Sequence, residues 1–337
     1  MSALDDHECE AAATVLGADG IPNRKTFLGG SDAAAVMGLS PYATPVELWQ
    51  RKTGRVEEQV DARMEKMRAR GHKLEPFIRD MAIDRLRDDF GLHVELVAVN
   101  QRYADLTYPF LACEIDFELR LTGTTAIDGE EVTFDGELVN ADAKSVTGFA
   151  RKKWGLEEAT EDVPIEYAAQ FMHGLMVTGR RYCLVAALRS FDDVDIYWTV
   201  RDDETIAAMR ERELAFWHHV TSDTPPDPLE FSDIKALFPL DNGAAIEATD
   251  EIADKVAQFK RIKADIKNYT EAEKALQFEI AEFIRPNARL TVGGKDVLTW
   301  KAQNWTGLDE GALRTAHPAL FAEFCKTKVI RVMRVKK

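Results

Sequence analysis

LACEIDFEL (residues 111–119) and LVNADAKSV (residues 138–146) alternate apolar and polar residues in the manner of half-buried β-strands. We expect the strands to cover residues 110–121 and 132–144 and to pair as a hairpin. The intervening residues, 122–131, are polar and include glycine, so they are predicted to be the connection. This hairpin is the predicted centre of the sheet.

Three charged side chains come together if the two strands are in register. Asp142 and Lys144 are two residues apart on one strand, so they face the same side of the sheet. Asp116 on the other strand can lie beside them. The sequence therefore predicts two carboxylates and an ammonium at one end of a twisted sheet.

This grouping is suited to the hydrolysis of a phosphodiester. One or two carboxylates commonly hold Mg²⁺ or Mn²⁺ together with water and substrate oxygens. The metal activates a water, and a second ion about 3.5–4 Å away can stabilise the leaving oxygen. Lys144 would orient that water or offset the charge that grows on the phosphate. Taken alone, Asp-x-Lys is more typical of a solvated pair on a strand edge.

Five separated motifs occur in one order along the chain. They are GGSDAAAVMGLSPYATPVELWQRKTG (residues 29–54), GHKLEP (residues 71–76), Asp116, the triplet Asp142-Ala143-Lys144, and Trp154-Gly155 followed by VPIEYAAQFMHGLMVTG (residues 163–179). Together they resemble the YqaJ-like viral recombinase family, the lambda-type exonucleases of the PD-(D/E)XK nuclease superfamily. The resemblance covers roughly residues 24–200 and is specific because all five motifs agree.

The resemblance implies roles for further residues of the catalytic centre. Glu75, in the G-x-x-x-E-P motif, is expected to be an additional acidic residue that acts in catalysis and metal binding. Ala143 is expected to be a metal-binding position between Asp142 and Lys144. Gln170 is expected close to the catalytic centre, where it would orient the lysine or the water.

A second predicted site would bind the 5′ phosphate at a DNA end. Arg24 precedes Ser31 by seven residues, which is the spacing found in the resembled family. A hydroxyl and a guanidinium at the start of a helix form a physically sensible phosphate site. Either Ser31 or Asp32 can cap that helix, although Gly-Gly-Ser is also a common way to begin any helix.

Two positions depart from the family pattern. Phe117 stands where family members usually have glycine after the metal-binding aspartate, and Asp142 stands where they more often have glutamate. These departures concern the geometry of the site and its metal preference. Asp135, which does precede a glycine, is a competing assignment, but it lies only seven residues before Asp142 on the same strand. We therefore prefer Asp116.

The activity implied by the resemblance is a metal-dependent exonuclease that degrades double-stranded DNA from its ends. It would run 5′ to 3′ with Mg²⁺ or Mn²⁺, at two ions per site, and serve phage-type recombination beside a single-strand annealing protein. Family members often form trimeric rings, so a homo-oligomer is expected. Two alternatives are a catalytically silent protein that binds DNA ends as a scaffold, and an endonuclease or nickase of the same fold.

Composition sets limits on these interpretations. The net charge of −15 argues against a protein that coats DNA through a uniformly positive surface, so cationic residues must be concentrated locally. Candidate clusters are Arg63, Lys66, Arg68, Arg70 and Lys73, and Arg151, Lys152 and Lys153. The chain has no apolar run of membrane-spanning length and no signal-peptide pattern at its start, so we expect a cytoplasmic protein, in the host cytoplasm if phage-encoded.

Cysteine and histidine usage adds no metal site. The four cysteines are scattered, without a C-x₂-C pair, so neither zinc, an iron–sulfur cluster nor a disulfide framework is indicated. Cys113 and Cys183 are predicted to be buried. Adjacent His218 and His219 point in different directions on a helix and cannot readily chelate one ion. His173 is expected to be a hydrogen-bonded structural residue rather than a DNA contact.

The predicted fold is α/β, with a restriction-endonuclease-like core whose mixed sheet is flanked by helices. We expect a flexible N-terminus at residues 1–22, a nuclease domain at 23–221, a linker at 222–248 and an accessory region at 249–337. The accessory region should hold a long helix, whose apolar stripe is interrupted at Glu273, a hairpin at 290–305, a short helix and a final strand at 329–335. Helices are expected at 60–90, with an irregularity at Gly71, and at 165–178.

Overall fold

The computed structural model describes residues 13–16, 23–57, 62–146, 150–189, 193–327 and 329–336. These residues form two compact units, which divide between Leu237 and Phe238. Within the described ranges, no helix is both long enough and apolar enough to cross a membrane.

A six-stranded mixed sheet forms the centre of the first unit. In spatial order, its strands are β1 (Ala13–Leu16), β2 (His93–Asp105), β3 (Ala112–Ile127), β4 (Glu130–Ser145), β5 (Tyr182–Leu188) and β6 (Val194–Val200). Neighbours are antiparallel except β4 and β5, which are parallel. A parallel pair needs a crossover, and the chain between these two strands contains the helix α4 (Ile165–Thr178).

Helices cover both faces of this sheet. The others in the first unit are α1 (Gly30–Val36), α2 (Pro45–Lys52), α3 (Ala62–Asp88), α5 (Asp203–Thr221) and α6 (Phe231–Leu237). Helix α3 packs over one apolar core that includes Ile78 and Trp198. Helices α1, α2, α4 and α5 cover a second core that includes Leu28 and Phe171. The predicted α/β class, with a mixed sheet flanked by helices, is confirmed.

The central hairpin is longer than the sequence predicted. Residues 122–127, expected to be part of the connection, continue β3, and Thr124 Oγ1 lies 3.0 Å from Thr133 Oγ1 across the ribbon. The turn is made by Asp128 and Gly129, whose φ angles are 50° and 77°. An Asp-Gly pair with positive φ makes a tight two-residue turn, and the β-branched threonines suit the strands that flank it.

Two segments expected to lack structure are ordered. Residues 13–16, within the N-terminus predicted to be flexible, form β1, which pairs with the end of β2; residues 1–12 and 17–22 lie outside the described ranges. In the predicted linker, α6 carries the fully buried Asp233, which accepts a 2.6 Å hydrogen bond from Thr44 Oγ1. Isolated polar residues such as Asp233 gave no periodic signal for this helix.

Helix α3 is continuous, in contrast to the irregularity expected at Gly71. Both Gly71 and Pro76 lie inside it, and Gly71 does not have a positive φ. Glycine permits a helical break without imposing one. The predicted burial of Cys113 and Cys183 is confirmed, whereas Cys9 lies outside the described residues.

The second unit contains a long helix, a hairpin and two short helices. These are α7 (Asp250–Ile284), β7 (Arg289–Val292), β8 (Lys295–Thr299), α8 (Glu310–Ala316) and α9 (Pro318–Phe324). The predicted long helix is confirmed: α7 is continuous through Glu273, because a charged residue in an apolar stripe does not break a helix. The expected final strand at 329–335 does not form. Its residues alternate between apolar and polar, but the structure pairs them with no other strand among the described residues.

Candidate active site

The register of β3 and β4 brings the predicted acidic residues together. Phe117 pairs with Ala141, so the next residues in each direction, Asp116 and Asp142, fall opposite each other. The backbone N–H of Ala143 donates a 2.9 Å hydrogen bond to Asp116 Oδ2. This bond fixes the orientation of the Asp116 carboxylate at the end of the paired region.

Lys144 completes this group from the same strand. Its Nζ lies 2.6 Å from Asp142 Oδ1, and both side chains are largely buried. The ammonium also lies over the rings of Tyr167 and Phe171, at 5.2 Å and 5.4 Å from their centroids. Burial by itself lowers the pKa of Lys144, but the nearby carboxylates outweigh it, so the pKa is raised. The side chain is therefore held as a cation.

The two aspartates resist ionisation. Burial, and then the neighbouring charge of Asp142, raise the pKa of Asp116 to about 7. Burial also raises the pKa of Asp142, while Lys144 opposes this effect. Two carboxylates that are buried side by side favour the binding of a cation that would neutralise them.

Helix α4 contributes Gln170. The first turn of the helix follows Pro164, and the helix ends at Gly179, whose left-handed backbone forms the C-cap. Gln170 Nε2 donates a 3.2 Å hydrogen bond to Asp142 Oδ2. Helix α1 approaches α4 so closely that a Cβ added to Gly30 would lie 3.1 Å from the Gln170 carbonyl oxygen. Gln170 therefore contacts Asp142 through its side chain and α1 through its backbone.

Helix α3 contributes Glu75, whose side chain is 26% exposed. Glu75 Oε1 lies 2.9 Å from His72 Nδ1. Burial and the charge of Asp116 raise the pKa of Glu75, and His72 opposes them. Helix α3 therefore adds a third carboxyl group to the site, and its charge interacts with that of Asp116.

The Arg24–Ser31 pair lies at the start of α1. Arg24 Nη2 donates a 2.7 Å hydrogen bond to Ser31 Oγ. The N-cap of the helix is Gly29, rather than Ser31 or Asp32; Asp32 lies in the first turn and its carboxylate accepts a hydrogen bond from the Gly29 N–H. A side chain at this third position can satisfy the cap residue as well as a capping hydroxyl can. Ser31 is consequently left to bind Arg24.

A backbone bridge joins this segment to β3. Leu28 pairs in parallel with Leu111: its N–H donates to the Phe110 carbonyl at 2.7 Å, and its carbonyl accepts from the Ala112 N–H at 2.9 Å. Leu28 and Leu111 are both almost completely buried. The bridge places the Arg24–Ser31 segment beside the start of the strand that carries Asp116.

Most of the predicted site residues border one cavity of about 500 Å³, whereas Ala143 and Lys144 do not line it. The predicted site residues that line it are Arg24, Ser31, Glu75, Asp116, Asp142 and Gln170. Lys144 reaches the site through its contact with Asp142. Asp135, the competing assignment, is exposed on β4 and does not line the cavity.

Part of the chain is similar in sequence to a known protein family. Residues 21–181 match the family model described as the YqaJ-like viral recombinase domain. Across 324 residues the chain is also 24% identical to the uncharacterized protein YqaJ of Bacillus subtilis (strain 168), a match that covers 93% of this chain and 92% of that protein.

Solved structures with some similarity include an alkaline exonuclease, LHK-Exo, from Laribacter hongkongensis. It is 20% identical, with a TM-score of 0.39, and the match covers 59% of this chain and 90% of that chain. The structure of LHK-Exo in complex with dAMP matches over the same shares, with a TM-score of 0.38. Likeness at this level does not assign an activity.

The carboxylates of the cavity offer oxygen donors of the type that a divalent cation prefers. Asp142 Oδ1 is buried and accepts no well-aligned hydrogen bond, although Lys144 Nζ is close to it. Within the described residues, no group of three or more His, Cys, Asp or Glu side chains is placed to hold an ion. Asp116 and Asp142 offer two carboxylates, and Mg²⁺ and Mn²⁺ are ions whose coordination can be completed by water and substrate oxygens.

Two residues of the cavity were not found from the sequence. Arg102 and Asn100 line it from β2. Asn100 has a φ of 50° and lies between the pairs Val99–Phe117 and Gln101–Ile115, which places it across from Asp116. Asparagine tolerates the left-handed region better than most residues, but the sequence does not indicate which strand lies beside Asn100.

His173 is structural, as expected. Its Nδ1 lies 2.9 Å from Glu213 Oε1 and its Nε2 lies 3.0 Å from the Ala112 carbonyl oxygen, with both side chains fully buried. Because both partners accept hydrogen bonds, both ring nitrogens carry protons and the side chain is an imidazolium. This cation links α4, α5 and the first residue of β3.

Proposed function

We propose that the protein is a metal-dependent exonuclease that degrades double-stranded DNA from its ends, in the 5′ to 3′ direction. The observation that carries the proposal is the convergence of Asp116, Asp142 and Lys144 beside a cavity that also contains Arg24 and Ser31. Two carboxylates and a cation suit phosphodiester hydrolysis, and an arginine with a hydroxyl suits a terminal phosphate.

In this proposal Asp116, Asp142 and the backbone carbonyl of Ala143 would hold Mg²⁺ or Mn²⁺, and Glu75 would support a second ion. The bound metal supplies an activated water and neutralises charge on the phosphate. Lys144, held protonated by the carboxylates, offsets the negative charge that develops on the phosphate oxygens. Gln170 orients Asp142 through its amide.

End recognition favours an exonuclease over an endonuclease of the same fold. The Arg24–Ser31 pair lines the same cavity as the carboxylates, so a terminal phosphate bound there would sit beside the reacting phosphodiester. A catalytically silent scaffold is disfavoured because the acidic residues are oriented by hydrogen bonds from Ala143 and Gln170. Phe117, which replaces the usual glycine, is buried in the core and leaves the cavity open.

The proposed context is phage-type recombination in the cytoplasm of a host cell. The single strand left by degradation would pass to a single-strand annealing protein, and a trimeric ring around DNA would make attack processive. Light scattering on the purified protein, with and without duplex DNA, measures the oligomeric state, and a monomer under both conditions would remove the ring from the proposal.

The decisive experiment is digestion of linear duplex DNA that is labelled separately at each 5′ and 3′ end. We expect metal-dependent release of mononucleotides from 5′ ends, with loss of release in chelator and in Lys144→Ala. Covalently closed circular DNA should stay intact, whereas nicking of the circle would indicate an endonuclease. Binding to ends without release by the wild-type protein would indicate the silent scaffold.

A further inference from the structure

Lys52, the last residue of α2, is a buried cation that belongs to no catalytic group described above. Its side chain is 4% exposed. The Nζ atom lies 2.7 Å from the Arg24 carbonyl oxygen, 2.6 Å from the Phe27 carbonyl oxygen and 2.6 Å from Asp32 Oδ2. An ammonium has three N–H donors, and these three acceptors use all of them.

The position of these acceptors is informative. Two of them are backbone carbonyls of the segment that leads from Arg24 to Ser31, and the third is a side chain in the first turn of α1. Asp32 Oδ2 also accepts the Gly29 N–H at 3.1 Å. Lys52 and Asp32 therefore hold the segment at both of its ends, and Leu28 anchors its middle to β3.

This arrangement is costly unless it is complete. Burial lowers the pKa of Lys52, and the Asp32 carboxylate opposes that effect. A buried cation needs its partners, and removal of the cation would leave Asp32 as an unpaired buried charge and two carbonyls without donors. The complete group ties the backbone carbonyls of Arg24 and Phe27 and the Asp32 side chain to the end of α2.

We propose that Lys52 is a positioning residue that holds the Arg24–Ser31 segment in the shape that binds the terminal phosphate of DNA. With no free donor, Lys52 does not touch DNA itself. Lys52 acts through its hydrogen bond to the Arg24 carbonyl, which fixes the backbone position from which the Arg24 side chain extends. It also acts through Asp32, which fixes the helical turn that carries Ser31. The inference rests on the proposed role of Arg24 and Ser31 in binding a 5′ phosphate.

The test measures binding rather than cleavage. A short duplex with a fluorophore at one 3′ end, carrying either a 5′ phosphate or a 5′ hydroxyl, is titrated in chelator and followed by fluorescence anisotropy. We expect the wild-type protein to prefer the phosphorylated duplex by about tenfold or more, because charge-assisted hydrogen bonds contribute on that order. Arg24→Ala should abolish this preference.

Two variants separate positioning from folding. Lys52→Met removes the ammonium, and Lys52→Met combined with Asp32→Asn also removes the unpaired carboxylate while keeping an acceptor for the Gly29 N–H. The variant to be used is one whose melting temperature is close to that of the wild type. In that variant, the ratio of the affinity for the 5′-phosphate duplex to the affinity for the 5′-hydroxyl duplex should fall close to one. Its affinity for the hydroxyl duplex should be unchanged. Lys25→Met, which removes an exposed lysine of the same segment, should keep the wild-type ratio.

Two outcomes would overturn the inference: a folded Lys52 variant that keeps the phosphate preference which Arg24→Ala loses, or a wild-type protein without any preference. Nuclease activity is measured separately with Mg²⁺. Absence of cleavage would therefore defeat the proposed exonuclease while the binding ratio still reported on Lys52.

Discussion

The backbone N–H of Ala143 donates a 2.9 Å hydrogen bond to Asp116 Oδ2, so the strand that carries Asp142 also orients the carboxylate on its neighbour. A cross-strand bond of this kind ties the carboxylate pair to the sheet register. Errors in register would separate the two aspartates, and the site therefore depends on the correct pairing of β3 and β4.

Removal of the Asp116 carboxylate should remove metal-dependent stabilisation. We expect Mg²⁺ or Mn²⁺ to raise the melting temperature of the wild-type protein, because an ion that binds the folded state at 100 times its Kd stabilises it by about 2.7 kcal/mol. Asp116→Asn should show little rise. Asp135→Asn, a matched change at an exposed aspartate of β4, should respond like the wild type. An equal response in Asp116→Asn would exclude Asp116 as a ligand.

Loss of the Lys144 charge should slow cleavage without preventing folding. Lys144→Met is expected to reduce the rate of duplex digestion by about 10²–10³, the usual effect of removing one electrostatic group that acts on the transition state. Lys152→Met removes an equal charge from an exposed position and serves as the control. A Lys144→Met rate within a few-fold of the wild type would contradict the assigned role.

The Gln170 amide should contribute less than Lys144. Gln170→Leu removes the donor at 3.2 Å from Asp142 Oδ2, and a hydrogen bond to a charged group is worth about 1.5–3 kcal/mol. We therefore expect a drop in kcat of about tenfold to a hundredfold, with thermal unfolding unchanged. Gln277→Leu, on the exposed surface of α7, is the comparison. An unchanged kcat would reduce Gln170 to a packing residue.

Stability should fall as pH rises through the pKa of His173. Burial alone would lower that pKa, but Glu213 and the Ala112 carbonyl outweigh it, so the folded pKa lies above the value of about 6.5 typical of unfolded chains. The stabilisation is complete below the unfolded pKa and is lost as pH rises through the folded pKa. Unfolding by urea between neutral and alkaline pH measures this loss.

His173→Gln should flatten that pH dependence because it has no proton to lose. His219→Gln, at a partly exposed histidine that contacts the Thr224 carbonyl, should retain the wild-type slope. Parallel slopes for wild type and His173→Gln would show that the imidazolium is not the source of the effect.

Much of the fold was predictable from signals between neighbouring residues in the sequence. Pro164 and Gly179 mark both ends of α4, because one favours a helix start and the other forms the left-handed cap, and the helix covers the predicted residues. Strict alternation placed Asp142 and Lys144 on one face of β4. These features depend on neighbours in the chain, which the sequence displays directly.

Features that depend on distant partners were not predictable in this way. Lys52 and Asp32 are 20 residues apart on different helices, and nothing in either helix indicates that they meet. Similarly, β1 has only four residues, and its order comes from pairing with the end of β2. The extension of β3 and β4 is not predicted from the sequence, because their polar threonines resemble loop residues. The turn at Asp128-Gly129 sets the length of this hairpin.

The Leu28–Leu111 bridge gives the site a fixed unit of length. It lies five residues before Asp116, and it is made of two backbone hydrogen bonds between buried residues. The distance from a bound chain end to the metal-binding carboxylates would therefore be set by the backbone, independently of base sequence. Because this distance would be constant, every cut should release a product of the same length, whatever the sequence of the DNA.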